Sequence, residues 1–277
     1  MAEISATDIS KLRKLTGAGM MDCKKALEEA AGNVEKAIEI IRKKGQAIAN
    51  KRADREASEG VALAKVTEDG KTGVMIVLNS ETDFVAKNSD FLSLAGNILG
   101  LAVKNQPADL DALKKLPMEG KLTVEDKVVE KLGIIGEKLE LSYYAKITAE
   151  KVMEYIHPGN MLAVLVGFNK SSAPYQVYRD VAMQIAAMNP VSIDKSDVSP
   201  KILEQEMDIA REQARKEGKP ENMIDKIAEG KVNKFYKEST LLNQEFIKDN
   251  KKTVRDYLKE TDKDLSVTAF KRFSLTL

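Results

Sequence analysis

Residues 1–45 carry apolar side chains at the spacing of three short helices. The first predicted helix follows the capping residue Ser5 and ends at the break 17–19. The second ends at Gly32, and the third runs from the capping residue Asn33 to Gly45, which can close a helix in the left-handed conformation. The pattern predicts a three-helix head that, with a charged connector, occupies residues 1–55.

The period of the apolar positions changes to two beyond the head. Residues 60–66 and 74–78 alternate, and the turn-rich segment 68–73 separates them, which predicts a β-hairpin. A polar loop, 79–88, comes next. A helix is then predicted from Ser89, because four apolar side chains share one of its faces: Phe91, Leu94, Ala95 and Ile98.

The same order of elements recurs further along the chain. An apolar run, 161–166, and a polar loop, 167–176, precede a helix in which Tyr178, Val181, Ala182 and Ile185 fall at a constant offset from the four residues of the earlier helix. The match is one of pattern rather than of identity. It indicates a duplicated strand, loop and helix. We therefore predict a two-part core over residues 56–198, with the boundary of its halves near residue 139.

A charged segment of different character interrupts this core. Residues 200–218 and 221–237 have helical spacing with narrow apolar stripes, and the break 218–220 joins them. We predict an antiparallel helical hairpin over residues 199–238 that projects from the body. Its stripes either pack within the hairpin or pair with a second copy. Residues 239–277 return to the core, so the fold class is α+β.

Composition narrows the classes of protein that remain. Of 277 residues, 43% are hydrophobic, and no apolar run exceeds 161–166, so a membrane span is not expected. The N-terminus has neither the basic nor the apolar part of a secretory signal, which favours a cytoplasmic protein. The formal net charge is +1, whereas proteins that bind nucleic acid usually show a larger basic excess.

The equipment for catalysis is also scarce. One Cys, one His and no Trp exclude disulfides and Cys/His zinc clusters. The Gly70-Lys71-Thr72 triplet lacks the upstream glycine of a phosphate-binding loop, because Lys65 stands there. Cys23 lies on the inner face of a predicted helix, where a buried inert thiol is expected. The sequence therefore predicts no enzyme, no cofactor and no metal site.

Phe84 interrupts the polar loop 79–88 in a chain with few aromatic residues. It stands in the run Thr82-Asp83-Phe84-Val85, between a predicted strand and a helix. A phenylalanine buried under the sheet is one interpretation, since buried loop aromatics are common. An exposed ring used for recognition is the other, since loops on a rigid scaffold often bind partners. The residues alone leave both open.

Two stretches of the chain resemble the signature motifs of the bacterial elongation factor Ts family. They are residues 12–27, LRKLTGAGMMDCKKAL, and residues 79–88, NSETDFVAKN. The resemblance implies a head like that of ubiquitin-associated (UBA) domains, a duplicated core and a helical hairpin. It also implies a guanine-nucleotide exchange factor that binds elongation factor Tu in its GDP-bound and nucleotide-free forms and releases GDP during translation elongation.

The resemblance also assigns roles to particular residues. Asp83 and Phe84, with Thr82 and Val85, match the loop that disturbs the partner's magnesium site. The stretch 134–137 resembles a second contact near the partner's phosphate loop, with Ile135 and Gly136 at its centre. Further matches with a contact role are His157, followed here by an unusual Pro158, and Leu12, Met20 and Met21 of the head, which can equally be head core.

Two expectations about assembly follow from the resemblance. The hairpin forms a dimer interface in some family members, so a homodimer is possible. Some members carry an additional C-terminal helical module, so partner binding here is expected to use the head, core and hairpin. A translation protein that binds nucleic acid is the alternative from another class. It predicts binding that weakens steeply with salt. A hydrolase using Cys23 or His157 has no support.

Overall fold

The structure, a computed structural model, describes residues 4–120 and 122–276. It is a mixed helix and sheet protein, in agreement with the predicted α+β class. None of the helices in these ranges combines the length and the apolar character that crossing a membrane requires.

Three helices form the head: α1 (Ala6–Thr16), α2 (Met20–Glu29) and α3 (Val34–Lys51). Ser5 and Asp8 form a capping box at the start of α1, and Asn33 caps α3 through the backbone N–H of Lys36. The small core between the helices includes Leu12, Leu27 and Cys23. The prediction of a buried Cys23 is thus confirmed.

The predicted end of the third helix at Gly45 is wrong, because α3 continues for six more residues to Lys51. Glycine weakens a helix but does not forbid one, and here packing overrides its propensity. Gly45 is buried and lies directly against Gly133 of a later helix. The connector is correspondingly shorter than predicted.

The first half of the core is a three-stranded antiparallel sheet in the order β1 (Glu59–Val66), β2 (Thr72–Ser80) and β5 (Leu139–Thr148). The predicted hairpin 60–78 is confirmed by the register that pairs Val66 with Gly73. Between β2 and β5 the chain forms further elements: α4 (Asp83–Ala86), α5 (Ser89–Asn105), α6 (Leu110–Lys114), β3 (Pro117–Glu119), β4 (Leu122–Thr123) and α7 (Val124–Ile135). The predicted face of α5 is buried against the sheet.

The second half repeats this arrangement with the sheet order β10 (Val267–Ser274), β7 (Leu162–Phe168) and β6 (Lys151–Ile156). Helix α8 (Tyr175–Met188) follows the central strand, as α5 follows β2, and its predicted apolar face is buried. The sequence did not predict β6. Three smaller elements complete this half: β8 (Glu245–Phe246), β9 (Asp249–Thr253) and α11 (Val254–Thr261).

The two sheets face each other across a shared apolar layer. Small residues such as Ala62 and Ala163 let the sheets approach closely. Gly73 belongs to this contact, since a β-carbon there would lie 2.7 Å from Val152 Cγ1 and 2.8 Å from Leu165 Cδ2. The layers therefore run helix, sheet, sheet, helix, with α5 and α7 on one outside and α8 on the other.

Helices α9 (Pro200–Lys216) and α10 (Glu221–Ser239) lie antiparallel and pack on each other through buried Ala210, Ala214, Ile224 and Ala228. The segments that lead into α9 and out of α10 are hydrogen-bonded to each other at the base of this helical hairpin. The Val191 N–H donates to Ser239 O at 2.8 Å, and the Leu241 N–H donates to Ser192 O at 2.9 Å. The chain thus leaves the core and returns to it at one place.

Candidate partner-binding site

Phe84 projects from the protein on α4, a helix of one turn that follows β2. Its side chain is 82% exposed, whereas that of the next residue, Val85, is buried against the first half of the core. Of the two interpretations that the sequence left open, the structure therefore shows the exposed ring. An exposed ring on a loop that a rigid scaffold holds is suited to binding a partner.

Hydrogen bonds hold the backbone that presents this ring. The Thr82 hydroxyl caps α4 by accepting from the Val85 N–H at 3.4 Å, and it donates to Glu137 Oε2 at 2.9 Å. The Ser80 hydroxyl donates to the Thr82 carbonyl at 2.9 Å. We call residues 81–88 the Phe84 loop. These bonds fix its first turn to β2 on one side and to the end of α7 on the other.

Asp83 and Lys87 form an ion pair across the outer surface of α4. The Lys87 Nζ donates to Asp83 Oδ2 at 2.7 Å. This bond lowers the pKa of the Asp83 carboxyl below its ordinary value of 3.8 and raises the pKa of Lys87 above 10.5. Both side chains are exposed, so Asp83 is charged at neutral pH and can interact with a partner's cation or hydroxyl group.

Glu81 is the anchor at the beginning of the Phe84 loop. Arg52, at the end of α3, donates to both of its oxygens, at 2.7 and 2.9 Å, and the Lys138 N–H donates at 2.6 Å. The Lys138 hydrogen bond, followed by the Arg52 pair, lowers the pKa of Glu81. Lys138 Nζ also binds the carbonyls of Ala53 and Arg55. This cluster ties the head, the loop and β5 together.

Ile135 and Gly136 end α7 beside the Phe84 loop. Gly136 closes the helix in the left-handed conformation, with φ 81°, and its N–H donates to Leu132 O at 2.7 Å. The following residue is Glu137, the acceptor of the Thr82 hydroxyl. The structure therefore brings the two predicted contact segments, 82–85 and 134–137, into direct contact.

The head carries its own exposed apolar surface, which we call the head patch: Leu15, Met20 and Met21. Their side chains are 59%, 59% and 62% exposed. Of the two leucines of α1, Leu12 is buried in the head core, whereas Leu15 is exposed. Leu12 thus belongs to the head core, the second of its two interpretations. The exposed positions of Met20 and Met21 agree with a role in binding.

His157 lies elsewhere, in the exposed turn between β6 and β7. Its Nδ1 is 3.0 Å from the Tyr155 hydroxyl, and its N–H donates to Leu162 O at 2.9 Å. The turn is joined to the first half of the core by the Ala62 N–H, which donates to Asn160 O at 2.7 Å. His157 therefore belongs to a second surface, separate in its contacts from the Phe84 loop.

Sequence reasoning missed the residues that hold the loop. Arg52 directly follows the last residue of α3, and Glu81 and Lys138 are separated from it by long stretches of chain. No local pattern marks such a cluster. A partial signal is Glu137, which lies in the stretch 134–137 that the resemblance marks as a partner contact.

Comparison with known proteins shows the family of this chain. The sequence model of the family described as Elongation factor TS matches residues 81–276. A protein of Porphyromonas gingivalis named Elongation factor Ts is 50% identical over 272 residues, 98% of each chain. The protein of that name from Amoebophilus asiaticus is 54% identical over 97% of this chain and 98% of its own length.

A third relative with the same name, from Christiangramia forsetii, is 49% identical over 99% of this chain and 100% of its own length. The matched range of each of these relatives covers nearly the whole chain. Together with the family match over most of the chain, it leads to one conclusion: the chain belongs to the elongation factor Ts family.

Proposed function

We propose that this protein is a guanine-nucleotide exchange factor for elongation factor Tu. It binds the GDP-bound form, promotes release of GDP and holds the nucleotide-free form until another nucleotide enters. Family membership supports this function over nucleic-acid binding, since the relatives described above share the name Elongation factor Ts. The protein forms and breaks no covalent bond in this role, and it acts in the cytoplasm, where translation takes place.

The observation that carries this proposal is the exposed Phe84 ring on an anchored loop. A flexible loop would lose conformational entropy on binding, whereas this one is already held by Thr82 and Glu81. The ring inserts beside the magnesium site of Tu, and Asp83 competes for groups there. Both contacts exist only when the nucleotide site is open, so they shift Tu toward its open state.

Thermodynamic linkage sets the limits of this action. The factor by which the bound protein weakens GDP affinity must equal the factor by which GDP weakens affinity for the protein. Exchange is therefore accelerated without consumption of the factor.

The remaining predicted residues supply further contacts with Tu. Ile135 and Gly136 contact the partner near its phosphate loop, and the head patch binds a helix of the partner. His157 contacts the same partner from the second half of the core.

We further infer that the head is UBA-like and that the two halves of the core arose by duplication. Three short helices around a small core support the first inference. Two antiparallel three-stranded sheets, each with a helix after its central strand, support the second. The proposed domains are residues 1–55, 56–198, 199–238 and 239–277.

The hairpin offers a surface for a homodimer. Its inner alanines pack within one copy, but Ile209 and Met223 remain exposed on the outside. A second hairpin would cover them. Sedimentation of the wild type and of the Ile209→Lys, Met223→Lys variant tests this: a dimer that the substitutions dissociate supports the interface, and a monomer at every concentration contradicts it.

The exchange activity is tested by release of fluorescent GDP from purified Tu, measured over a titration of the factor at fixed salt. We compare wild type with Phe84→Ala and with Tyr175→Ala. Tyr175 is the matched control, since it is also an exposed aromatic residue, 60% accessible, but lies at the start of α8. The proposal expects Phe84→Ala to lower the maximal rate at least about tenfold, as loss of an interface hot spot does.

The Tyr175→Ala variant is expected to accelerate GDP release from Tu as much as the wild type does. Absence of acceleration by the wild type with the Tu of its own organism contradicts the exchange function. Acceleration that Phe84→Ala retains contradicts the role of the ring but leaves the exchange function intact.

A further inference from the structure

The head and the core touch at two glycines. A β-carbon on Gly133 of α7 would lie 2.5 Å from the α-carbon of Gly45 in α3, a distance that β-carbons essentially never show. The two helix backbones therefore pack without any side chain between them. Beside this contact lies a cleft of about 350 Å³ between α2, α3 and α7, which residues such as Ala26, Ile41 and Ile134 line.

Such a contact leaves little freedom in how the head is placed. Two helix backbones that touch directly have a separation fixed by the atoms themselves, whereas side chains between helices can adopt other rotamers. The α1–α2 turn also comes close to α7, since a β-carbon placed on Gly17 would lie 3.4 Å from Ile134 Cδ1. The head is thus adjacent to α7 at two successive positions, 133 and 134.

The same helix also positions the Phe84 loop. Glu137, four residues beyond Gly133, accepts the Thr82 hydroxyl. At the other end of the contact, α3 continues from Gly45 to Arg52, whose guanidinium holds Glu81 of the loop. Helices α3 and α7 therefore connect the glycine contact with the beginning of the loop that carries Phe84, at Glu81 and Thr82.

We propose that Gly133 is a positioning residue: because it has no side chain, α3 packs directly on α7, and this fixes the head patch relative to Phe84 so that both can engage one partner at once. This inference rests on the proposed exchange function. Two contacts on a rigid body bind with a high effective concentration, and that advantage is lost when the geometry prevents simultaneous binding. An added methyl group at Gly133 would push α3 away by about 0.9 Å, from 2.5 Å to the 3.4 Å of ordinary contact.

The two glycines differ in what an alanine would meet, and this provides a matched control. At Gly45 the new β-carbon would lie 3.5 Å from Val129 O and 3.6 Å from Gly133 Cα, which is ordinary contact. Gly100 in α5 has open space around the same atom. All three substitutions place alanine within a helix, so they share the gain in helix propensity and differ in the displacement of the head.

The experiment measures Tu-bound GDP release with Gly133→Ala, Gly45→Ala and Gly100→Ala, each with and without the pair Met20→Ala, Met21→Ala. We expect Gly133→Ala to raise the half-saturating concentration at least about tenfold and the two controls to stay within about twofold of wild type. In the wild-type background, removal of the head patch should raise the half-saturating concentration strongly. In the Gly133→Ala background the same removal should raise it by less than about twofold, because the head of that variant no longer reaches the partner.

Amide hydrogen exchange establishes whether the head of Gly133→Ala is folded. If protection of α1 and α2 is retained, wild-type half-saturation or an undiminished effect of the head patch overturns the proposal. If protection is lost, Arg52→Ala decides, because it breaks the other link between α3 and the loop without entering the head core.

The proposal then expects Arg52→Ala to raise half-saturation about threefold and to reduce the effect of the head patch. Unchanged values overturn it. Failure of wild type to accelerate release, in contrast, would contradict the exchange function itself and the inference with it.

Discussion

The hydroxyl of Thr82 joins the Phe84 loop to the end of α7, because it donates to Glu137 at 2.9 Å while it caps α4. One side-chain oxygen therefore takes part in two restraints on the same turn. This bond and the hydrogen bonds of Glu81, the residue before Thr82, together hold the backbone that presents the Phe84 ring.

Thr82→Val removes both hydrogen bonds and keeps the volume of the side chain. We expect the free energy of unfolding to fall by about 1–2 kcal/mol, from the lost cap and the lost bond to a charged acceptor. The maximal rate of GDP release should fall about threefold to tenfold, because the loop spends less time in its binding conformation. Thr82→Ser, which keeps the hydroxyl, should behave as the wild type. Equal effects of Val and Ser would refute this account.

Gly136 separates a backbone role from a contact role. Nothing lies within 4 Å of a β-carbon placed there, so Gly136→Ala meets only the strain of φ 81°, about 1–2 kcal/mol in the free energy of unfolding. Gly136→Asn should lose less, because asparagine tolerates this conformation. Denaturant unfolding measures both. If the partner contacts the backbone of Gly136 directly, the Gly136→Asn variant will bind Tu more weakly than wild type does, although its stability is largely kept. Normal affinity of the Asn variant for Tu would mean that Gly136 only closes the helix.

The ion pair between Asp83 and Lys87 on α4 predicts how the pKa of Asp83 responds to a substitution. Because the Lys87 hydrogen bond lowers the pKa of Asp83, Lys87→Met should raise that pKa toward the ordinary 3.8. Carboxyl chemical shifts recorded against pH give the midpoint. Asp256 serves as a reference within the same spectra, since its lowered pKa comes from Thr253 and should not move. An Asp83 midpoint that is unaffected by Lys87→Met would mean that the pair does not persist in solution.

Glu81 predicts a loss of stability in acid. Its folded pKa lies below the ordinary 4.5, so the folded state binds fewer protons than the unfolded state near that pH. The stabilisation is fully present above pH 4.5 and is lost as the pH falls through the folded pKa. Glu81→Gln should lower the free energy of unfolding at pH 7 by about 1–3 kcal/mol and flatten its decline below pH 4.5. A decline as steep as in wild type would assign the acid sensitivity to other carboxylates.

Local patterns predicted much of the fold. The alternation before and after the turn at Gly70 identified β1 and β2, and the apolar faces around Phe91 and Tyr178 identified α5 and α8. These elements have strong periodicity and bury the faces that the sequence marks. Composition singles out Phe84 but does not decide whether its ring is buried or exposed, and the resemblance implies a ring that contacts the partner.

Other features depend on contacts between distant parts of the chain. Gly45 reads as a helix end, yet it continues α3 because Gly133 leaves room for its backbone. The six residues of β6 form a strand through pairing with β7, which no neighbouring residue indicates. Arg52 and Glu81 meet only in the folded protein. Sequence patterns describe each segment, whereas these features require knowledge of the neighbour.

The paired backbone at the base of the hairpin has an evolutionary consequence. Since residues 191 and 192 are already bonded to 239 and 241, the path between them can lengthen or shorten by whole helical turns without disturbing either sheet. Natural selection can therefore vary the reach of the hairpin separately from the Phe84 loop. A shortened chain that replaces α9 and α10 by a tight turn would retain the rest of the architecture.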